Sequence, residues 1–321
     1  MNTFFLDRLN SEPHALAFAG QSTPWPVALA DQSANPALDE ALHTHAAAAQ
    51  ALLYPVSAEL LATTGRPVDL FGFEPNPARL GAAAAASASV PGIALTQLGA
   101  LLDAAALGYN PAQAKPVAVL GHSQGVLAVH MVQAICEAGS IDAAAAKIDE
   151  ILAIATLIGV AGTRQARQLG LAARHGEATP MLSVKDITRA QVDALIERVD
   201  GARGPIAVAV TNSATHYVLS GYPEDLAAFG VEVAKEHKRQ AKLREEKVRG
   251  GRVFDPTLEY LDVTLPFHSP LMADAVSQAV AWAEACGINA DHARELAAEV
   301  LLNHVDWDAR VRALMLSLIH I

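Results

Sequence analysis

The feature that most restricts the fold is a short apolar run, Pro116 to Leu120 (PVAVL), that passes directly into Gly121-His122-Ser123-Gln124-Gly125 and then into a helix-patterned stretch from Val126 to Ala138. A buried strand, a tight turn and a helix in that order are the parts of a layered α/β fold. The turn reads G-x-S-x-G. That pattern puts a serine on a sharp strand-to-helix bend with its hydroxyl exposed, and the glycines remove side chains that would strike the facing strand and helix. The N–H of Gln124, directly after Ser123, opens onto the helix N-terminus and is the natural first donor to an oxyanion. A chance G-x-S-x-G is the plain alternative, and the flanking strand and helix argue against it.

The rest of the chain agrees with an α/β class. Ala15 to Ala19 reads as a buried strand that stops at Gly20. Helices are predicted over Leu38–Tyr54 with a break at Pro55, from Pro91-Gly92 through Ile93, Leu95, Leu98, Leu101 and Leu102, and over Ala143–Gly162. Phe71 to Ala78, with Gly72, Pro75, Asn76 and Pro77, is a predicted loop. Hydrophobic residues make up 52% of the chain but aromatic residues only 5%. An Ala- and Leu-rich core of that kind favours helices wrapped on a sheet over an all-β fold.

Near residue 180 the rhythm changes. Met181–Val184 is strand-like, Arg189–Val199 helical, Ile206–Val210 and Tyr217–Ser220 strand-like with a polar turn at Asn212, and Pro223–His237 helical. With a possible last strand, this β-α-β-β-α order is that of a ferredoxin-like α+β sandwich of about 70 residues. It is an insertion, because α/β character resumes at Val263–Phe267. The division expected is a core over 1–178 and 254–321 and a subdomain over 179–253.

Several classes are disfavoured. A net charge of −11 makes a poor nucleic-acid binder. Cys136 and Cys286 lack CxxC partners, so neither a disulfide framework nor a structural zinc site is expected, and no metal is. Met1–His14 lacks the basic-then-apolar order of a leader. The apolar run Ile151–Gly162 is short of the ~20 residues of a membrane span. A cytoplasmic protein without a membrane partner is expected. The tail from Arg312 is apolar, lacks a helix stop signal and ends abruptly, as a truncation would.

A serine nucleophile needs a base at neutral pH. Among twelve histidines, His43 and His45 do not share a helical face, and His122 points away from Ser123 in a regular turn. His268 follows Val263–Phe267 and begins a turn at Ser269-Pro270. The C-terminal end of a strand is where an open α/β sheet places its reactive groups. On this pattern alone, a loop histidine satisfied by local hydrogen bonds is the favoured reading.

Three motifs in order resemble the malonyl/acetyl transferase family: Phe18-Ala19-Gly20-Gln21, Gly121-His122-Ser123-Gln124-Gly125, and Phe267-His268-Ser269-Pro270-Leu271-Met272. With Lys247-Val248-Arg249-Gly250-Gly251 and Val305-Asp306-Trp307, the chain looks most like the N-terminal acyltransferase domain of bacterial and fungal type I fatty acid synthases, from about Ala15 to Trp307. The resemblance implies an α/β-hydrolase-like core with a parallel sheet plus the inserted ferredoxin-like subdomain. It implies a Ser123–His268 dyad, oxyanion donors from the backbone N–H groups of Gln21 and Gln124, and a histidine oriented by a carbonyl near a C-terminal Gly-Pro-Gly segment. It implies acyl-CoA, an acyl carrier protein and other synthase domains as partners. Coenzyme A and phosphopantetheine serve as substrate carriers, with no bound cofactor.

Departures from the family pattern carry information. Gly20-Gln21-Ser22 stands where the family reads Gly-Gln-Gly, and no Gly-Pro-Gly segment is present. Members that take malonyl groups place an arginine where this chain has Ile158. An apolar side chain cannot pair a buried carboxylate, which points to a neutral acyl group such as acetyl. Arg164 lies six residues on and would restore a malonyl site under another alignment. The run Lys235–Arg252 carries eight Lys/Arg and three Glu. It reads either as a solvated helix end or as a docking surface for coenzyme A phosphates or an acidic carrier protein. A serine hydrolase or thioesterase with a Ser-Asp-His triad, and a non-catalytic scaffold, are the competing readings.

Overall fold

The computed structural model describes residues 8–20, 24–67, 85–171, 178–246 and 254–319. The expectations for Gln21, the 71–78 loop and the Lys247–Gly251 segment fall outside the described residues. The chain divides into two compact units, Met1–Gln165 with Asp274–Val300, and Ala166–Ala273 with Leu301–Ile321.

The first unit opens with strand β1 (Ala15–Phe18), then helices α1 (Trp25–Ser33), α2 (Pro36–Leu52), α3 (Ser57–Thr64), α4 (Ala86–Ala106) and the single turn α5 (Pro111–Ala114). Asn35 and Asn110 cap α2 and α5 by accepting from the N–H groups of Ala37 and Ala112. A proline follows each at the first helical position, where a missing N–H costs nothing. Strand β2 (Ala118–Gly121) lies parallel to β1 with Phe18 opposite Gly121. Helices α6 (Val126–Ala138) and α7 (Ala145–Gln168) follow. The core centres on α4 and α7, where Ile93, Leu95, Leu98, Ile151, Leu152 and Ile158 are fully buried. Each such side chain contributes roughly 1.5–3 kcal/mol of transfer free energy.

Helix α4 begins five residues before the predicted start, so Pro91 and Gly92 lie inside it rather than at its opening. Interior proline and glycine cost about 3 and 1 kcal/mol in propensity. Packing outweighs that cost. Gly92 sits against the Trp25 ring, where a Cβ would come within 2.6 Å of Cζ3. The helix has the length and hydropathy of a membrane span, and 72% of its apolar window is buried inside the protein, as in a core helix.

In the second unit, β3 (Met181–Lys185), α8 (Arg189–Ile196), β4 (Ala207–Ser213), β5 (His216–Ser220), α9 (Pro223–Glu246) and β6 (Thr257–Tyr260) follow one another. The strands order as β6-β3-β5-β4, every neighbouring pair antiparallel. Fourth strand beside first, then third, then second, is the ferredoxin-like arrangement that the β-α-β-β-α rhythm predicts. Helices α8 and α9 pack their apolar residues on this sheet, with Leu182, Val184, Val192, Leu219, Leu226 and Phe229 in one cluster. Thr188 and Gln191 form a capping box that starts α8. After α10 (Ala273–Ala285) and α11 (Ala290–Leu301), strand β7 (Val305–Asp306) adds to the sheet parallel to β4, and α12 (Trp307–Ile319) closes the described chain.

Two local expectations are corrected. Asn212 lies within β4, and the hairpin turns at Ala214-Thr215, between the paired residues Ser213 and His216. Val263–Phe267 is not a strand. Val263 and the continuous stretch from Leu265 to Ser269 are buried, so the apolar run reflects burial rather than strand pairing. The N–H of Val263 instead turns back on the Leu261 carbonyl, and Pro266 has no N–H to offer a ladder.

Candidate active site

The elbow is built by the end of β2. His122 is still extended, and Ser123 then takes φ +53, followed by a 3-10 turn over Ser123–Gly125 that runs into α6. A non-glycine residue in the left-handed region costs of order 1–3 kcal/mol and persists only where its surroundings enforce it. The enforcement is visible in the packing. A Cβ on Gly125 would strike the Phe18 carbonyl oxygen, and one on Gly121 would strike the N–H of Val126. The N–H of His122 donates to Phe18 O at 2.9 Å, and that of Gly125 to His122 O at 3.0 Å.

The turn after β1 nests on the same elbow. A Cβ on Gly20 would lie 2.6 Å from His122 O, 2.9 Å from Ser123 Cβ and 3.3 Å from the N of Gln124. The structure therefore brings the residue before Gln21 against Ser123 and Gln124. Ser123 is half-buried, and Gln124 is buried at the start of the helix. Behind this turn, buried Gln97 on α4 donates from Nε2 to the Ala19 carbonyl at 2.6 Å.

Ile158 is fully buried on α7. The helix approaches α4 closely at the next residue, where a Cβ on Gly159 would strike the Ala86 carbonyl. Arg164, further along α7, donates to Gln278 Oε1 at 2.7 Å and lies 5.9 Å over the Trp282 ring.

His268 belongs to the second unit, and it too is strained, with φ +56 and 2% exposure. Its Nδ1 lies 2.8 Å from the carbonyl oxygen of Asn303. A carbonyl only accepts, so Nδ1 carries a proton, and in the neutral imidazole Nε2 then keeps its lone pair, the state required of a base. The N–H of Ser269 donates to the Leu301 carbonyl, and the Ser269 hydroxyl accepts from the N–H of Leu271. Asn303 is held in turn by β7, whose Val305 pairs with Val210 of β4. The orienting carbonyl is thus Asn303, just before β7, and not one beside a Gly-Pro-Gly segment. Nothing in the sequence marks it, because the group is main-chain. Each unit places one of the sequence-predicted reactive side chains, Ser123 in the first and His268 in the second.

Among the described residues, no group of three or more His, Cys, Asp or Glu is arranged to hold a metal ion. Burial pushes the Cys136 and Cys286 thiols above their ordinary range, which makes them poor nucleophiles at neutral pH.

Residues 180–260 match the fatty acid synthase central AT domain. That span runs from the start of β3 to the end of β6. Over 209 residues the chain is 27% identical to the fatty acid synthase subunit beta of Schizosaccharomyces pombe, which covers 59% of this chain and 10% of the relative. The chain spans about a tenth of the length of the curated relatives it matches. In fold it is similar to the MCAT of Mycobacterium tuberculosis, with TM-score 0.54 and 19% identity over 94% of this chain and 85% of that one. It is also similar to a malonyl transacylase solved with a type II polyketide synthase acyl carrier protein, with TM-score 0.57 and 17% identity over 95% and 86%. The likeness to fatty acid synthases is thus present in a family model over residues 180–260 and in fungal relatives, and the solved transacylases share the fold.

Proposed function

We propose that this chain is an acyltransferase domain that carries an acyl group as an ester on Ser123. It moves that group between coenzyme A and the phosphopantetheine thiol of an acyl carrier protein, in the cytoplasm, alongside the other domains of a fatty acid synthase. Ser123 and His268 form the dyad. The backbone N–H groups of Gln21 and Gln124 bind the oxyanion, and residues 179–253, with β6 completing their sheet, form the inserted subdomain. The observation that carries this reading over a triad hydrolase is the bond from His268 Nδ1 to a main-chain carbonyl, at the place where a triad would put a carboxylate.

In the first half-reaction, His268 Nε2 takes the Ser123 proton as Oγ attacks the thioester carbonyl. The negative charge moves onto the carbonyl oxygen, where one backbone donor typically contributes about 3 kcal/mol. The tetrahedral adduct collapses, the C–S bond breaks, and the departing coenzyme A sulfur takes the proton back from His268. The carrier thiol then gives its proton to Nε2 and attacks the ester, and the same steps run in reverse to free Ser123. Between the two half-reactions the protein holds only the acyl group, since the first proton leaves with coenzyme A and the second arrives with the carrier thiol.

The acyl group is neutral, with acetyl the best fit. Buried Ile158 offers no partner to a carboxylate. Arg164, six residues further along α7, is engaged with Gln278 and Trp282. The test is intact-protein mass spectrometry after incubation with acetyl-CoA or malonyl-CoA, with Ser123→Ala as control. An acetyl adduct lost in the control supports the reading. A malonyl adduct overturns the role of Ile158, and no adduct from either donor overturns the acyl-enzyme.

A further inference from the structure

We propose that Gln97 is a positioning residue for the turn that follows β1, and through it for the oxyanion site. The inference rests on the acyl-enzyme reading above. Gln97 lies on α4 among fully buried apolar neighbours, Ile93, Ala94, Leu95 and Leu98, and is itself more than nine-tenths buried. Its Nε2 donates to the carbonyl of Ala19 at 2.6 Å. Its Oε1 is buried and has no hydrogen-bond partner among the described residues. A buried acceptor without a donor is a standing cost that an apolar side chain of similar length would avoid. Among the described residues the amide is engaged through its donor, whose recipient is the Ala19 carbonyl.

That recipient is well placed to matter. Ala19 is the first residue beyond β1, and Gly20 after it is packed against His122 O, Ser123 Cβ and the N of Gln124. Parallel pairing with β2 ends at Phe18–Gly121, so the ladder does not fix the Ala19 carbonyl. Gln97 supplies that missing restraint from a rigid, buried helix. Its bond sets the plane of the Ala19–Gly20 peptide, and hence how Gly20 rests against Ser123 and the N–H of Gln124. Oxyanion donors act only when aimed beforehand at the place where charge develops, so the loss falls on the rate and not on substrate affinity.

Two variants test this. Gln97→Met keeps length and apolar volume but has no donor. Gln97→Glu has a donor only while its carboxyl is protonated, and burial raises the pH at which it ionises. The measurement is the single-turnover rate of Ser123 acetylation by acetyl-CoA across pH, divided by the wild-type rate at each pH. Apparent KM and folded-state circular dichroism are followed in parallel. Gln97→Met is expected to lose about 10- to 100-fold in kcat at every pH with KM little changed. Gln97→Glu is expected near wild type at the acid end, falling as pH rises, which introduces a titration absent from the wild-type ratio. Wild-type-like rates for folded Gln97→Met, or a flat ratio for Gln97→Glu, would show a purely packing role and overturn the inference. A wild-type protein that takes no acyl group removes the acyl-enzyme reading and the inference with it, an outcome distinguished by the first control alone.

Discussion

His268 donates from Nδ1 to the main-chain carbonyl of Asn303 across 2.8 Å. The bond fixes tautomer and ring orientation without placing a second ionisable group behind the imidazole. It makes a prediction that separates the two residues. His268→Ala removes the base and is expected to lower the Ser123 acetylation rate by about 10²–10⁴-fold. Asn303→Ala leaves the carbonyl in place and is expected to stay within about threefold, under ~1 kcal/mol of barrier. Single-turnover mass spectrometry on both variants checks this. A large loss in Asn303→Ala would mean that its side chain, not its carbonyl, matters.

Gly121 and Gly125 are predicted to tolerate no Cβ. The clash at Gly125 is with the Phe18 carbonyl, and that at Gly121 with the Val126 N–H, both main-chain atoms without a rotamer to escape into. Gly125→Ala should displace β1 from the elbow and destabilise the protein by about 2–4 kcal/mol, as other backbone overpacking does. The readouts are the urea midpoint and labelling of Ser123 by a serine-directed acylating agent. Unchanged labelling in a fully stable variant would contradict this packing.

Ile158→Arg is expected to exchange one acyl preference for another. A guanidinium at a fully buried position destabilises the free protein by about 3–5 kcal/mol but offers a bidentate partner to a malonyl carboxylate. The ratio of malonyl to acetyl adduct on Ser123 should rise at least about tenfold, ~1.4 kcal/mol. A variant with weaker acetylation and no gain for malonyl would place residue 158 away from the acyl pocket.

Acid stability has a specific expected contributor. Glu236 on α9 is held well below the usual carboxylate range, at about 2, first by the Arg239 hydrogen bonds and then by Gln240 and Arg198. A carboxyl depressed in the folded state adds stability that is present above its ordinary value of 4.5 and is lost as pH falls toward about 2. The heads of Arg198 and Arg239 are 48% and 59% exposed, so solvent screening limits the contribution to about 1–2 kcal/mol. Glu236→Gln should flatten the fall in urea midpoint between about pH 5 and pH 2. An acid limb identical to wild type would rule out this cluster.

What the sequence made legible follows from where the signal is local. The strand, turn and helix around Ser123 occupy contiguous residues, and α6 runs Val126–Ala138 as predicted. The ferredoxin-like order is legible for the same reason, since each strand and helix carries its own period. The buried apolar run at Val263–Phe267 gave a false strand, because burial needs a core but not a hydrogen-bonded neighbour. Pro91 gave a false helix start, because the ring of Trp25, distant in sequence, decides that packing. The Asn303 carbonyl leaves no trace in residue type at all. Gln97 does leave one, a lone amide in the run Ile93–Leu102 whose other side chains are largely apolar, and burial gives it meaning.

Strand β7 and the Asn303 carbonyl come from the last stretch of chain in the second unit, after α10 and α11 have returned to the first. During synthesis from the N-terminus, the elbow and its helix are therefore made, through Ala138, long before the residue that turns His268 into an oriented base. A nascent chain stopped at Val300 would carry the whole serine elbow and His268 without the Asn303 carbonyl. The order of translation thus separates making the elbow from making the carbonyl that orients His268.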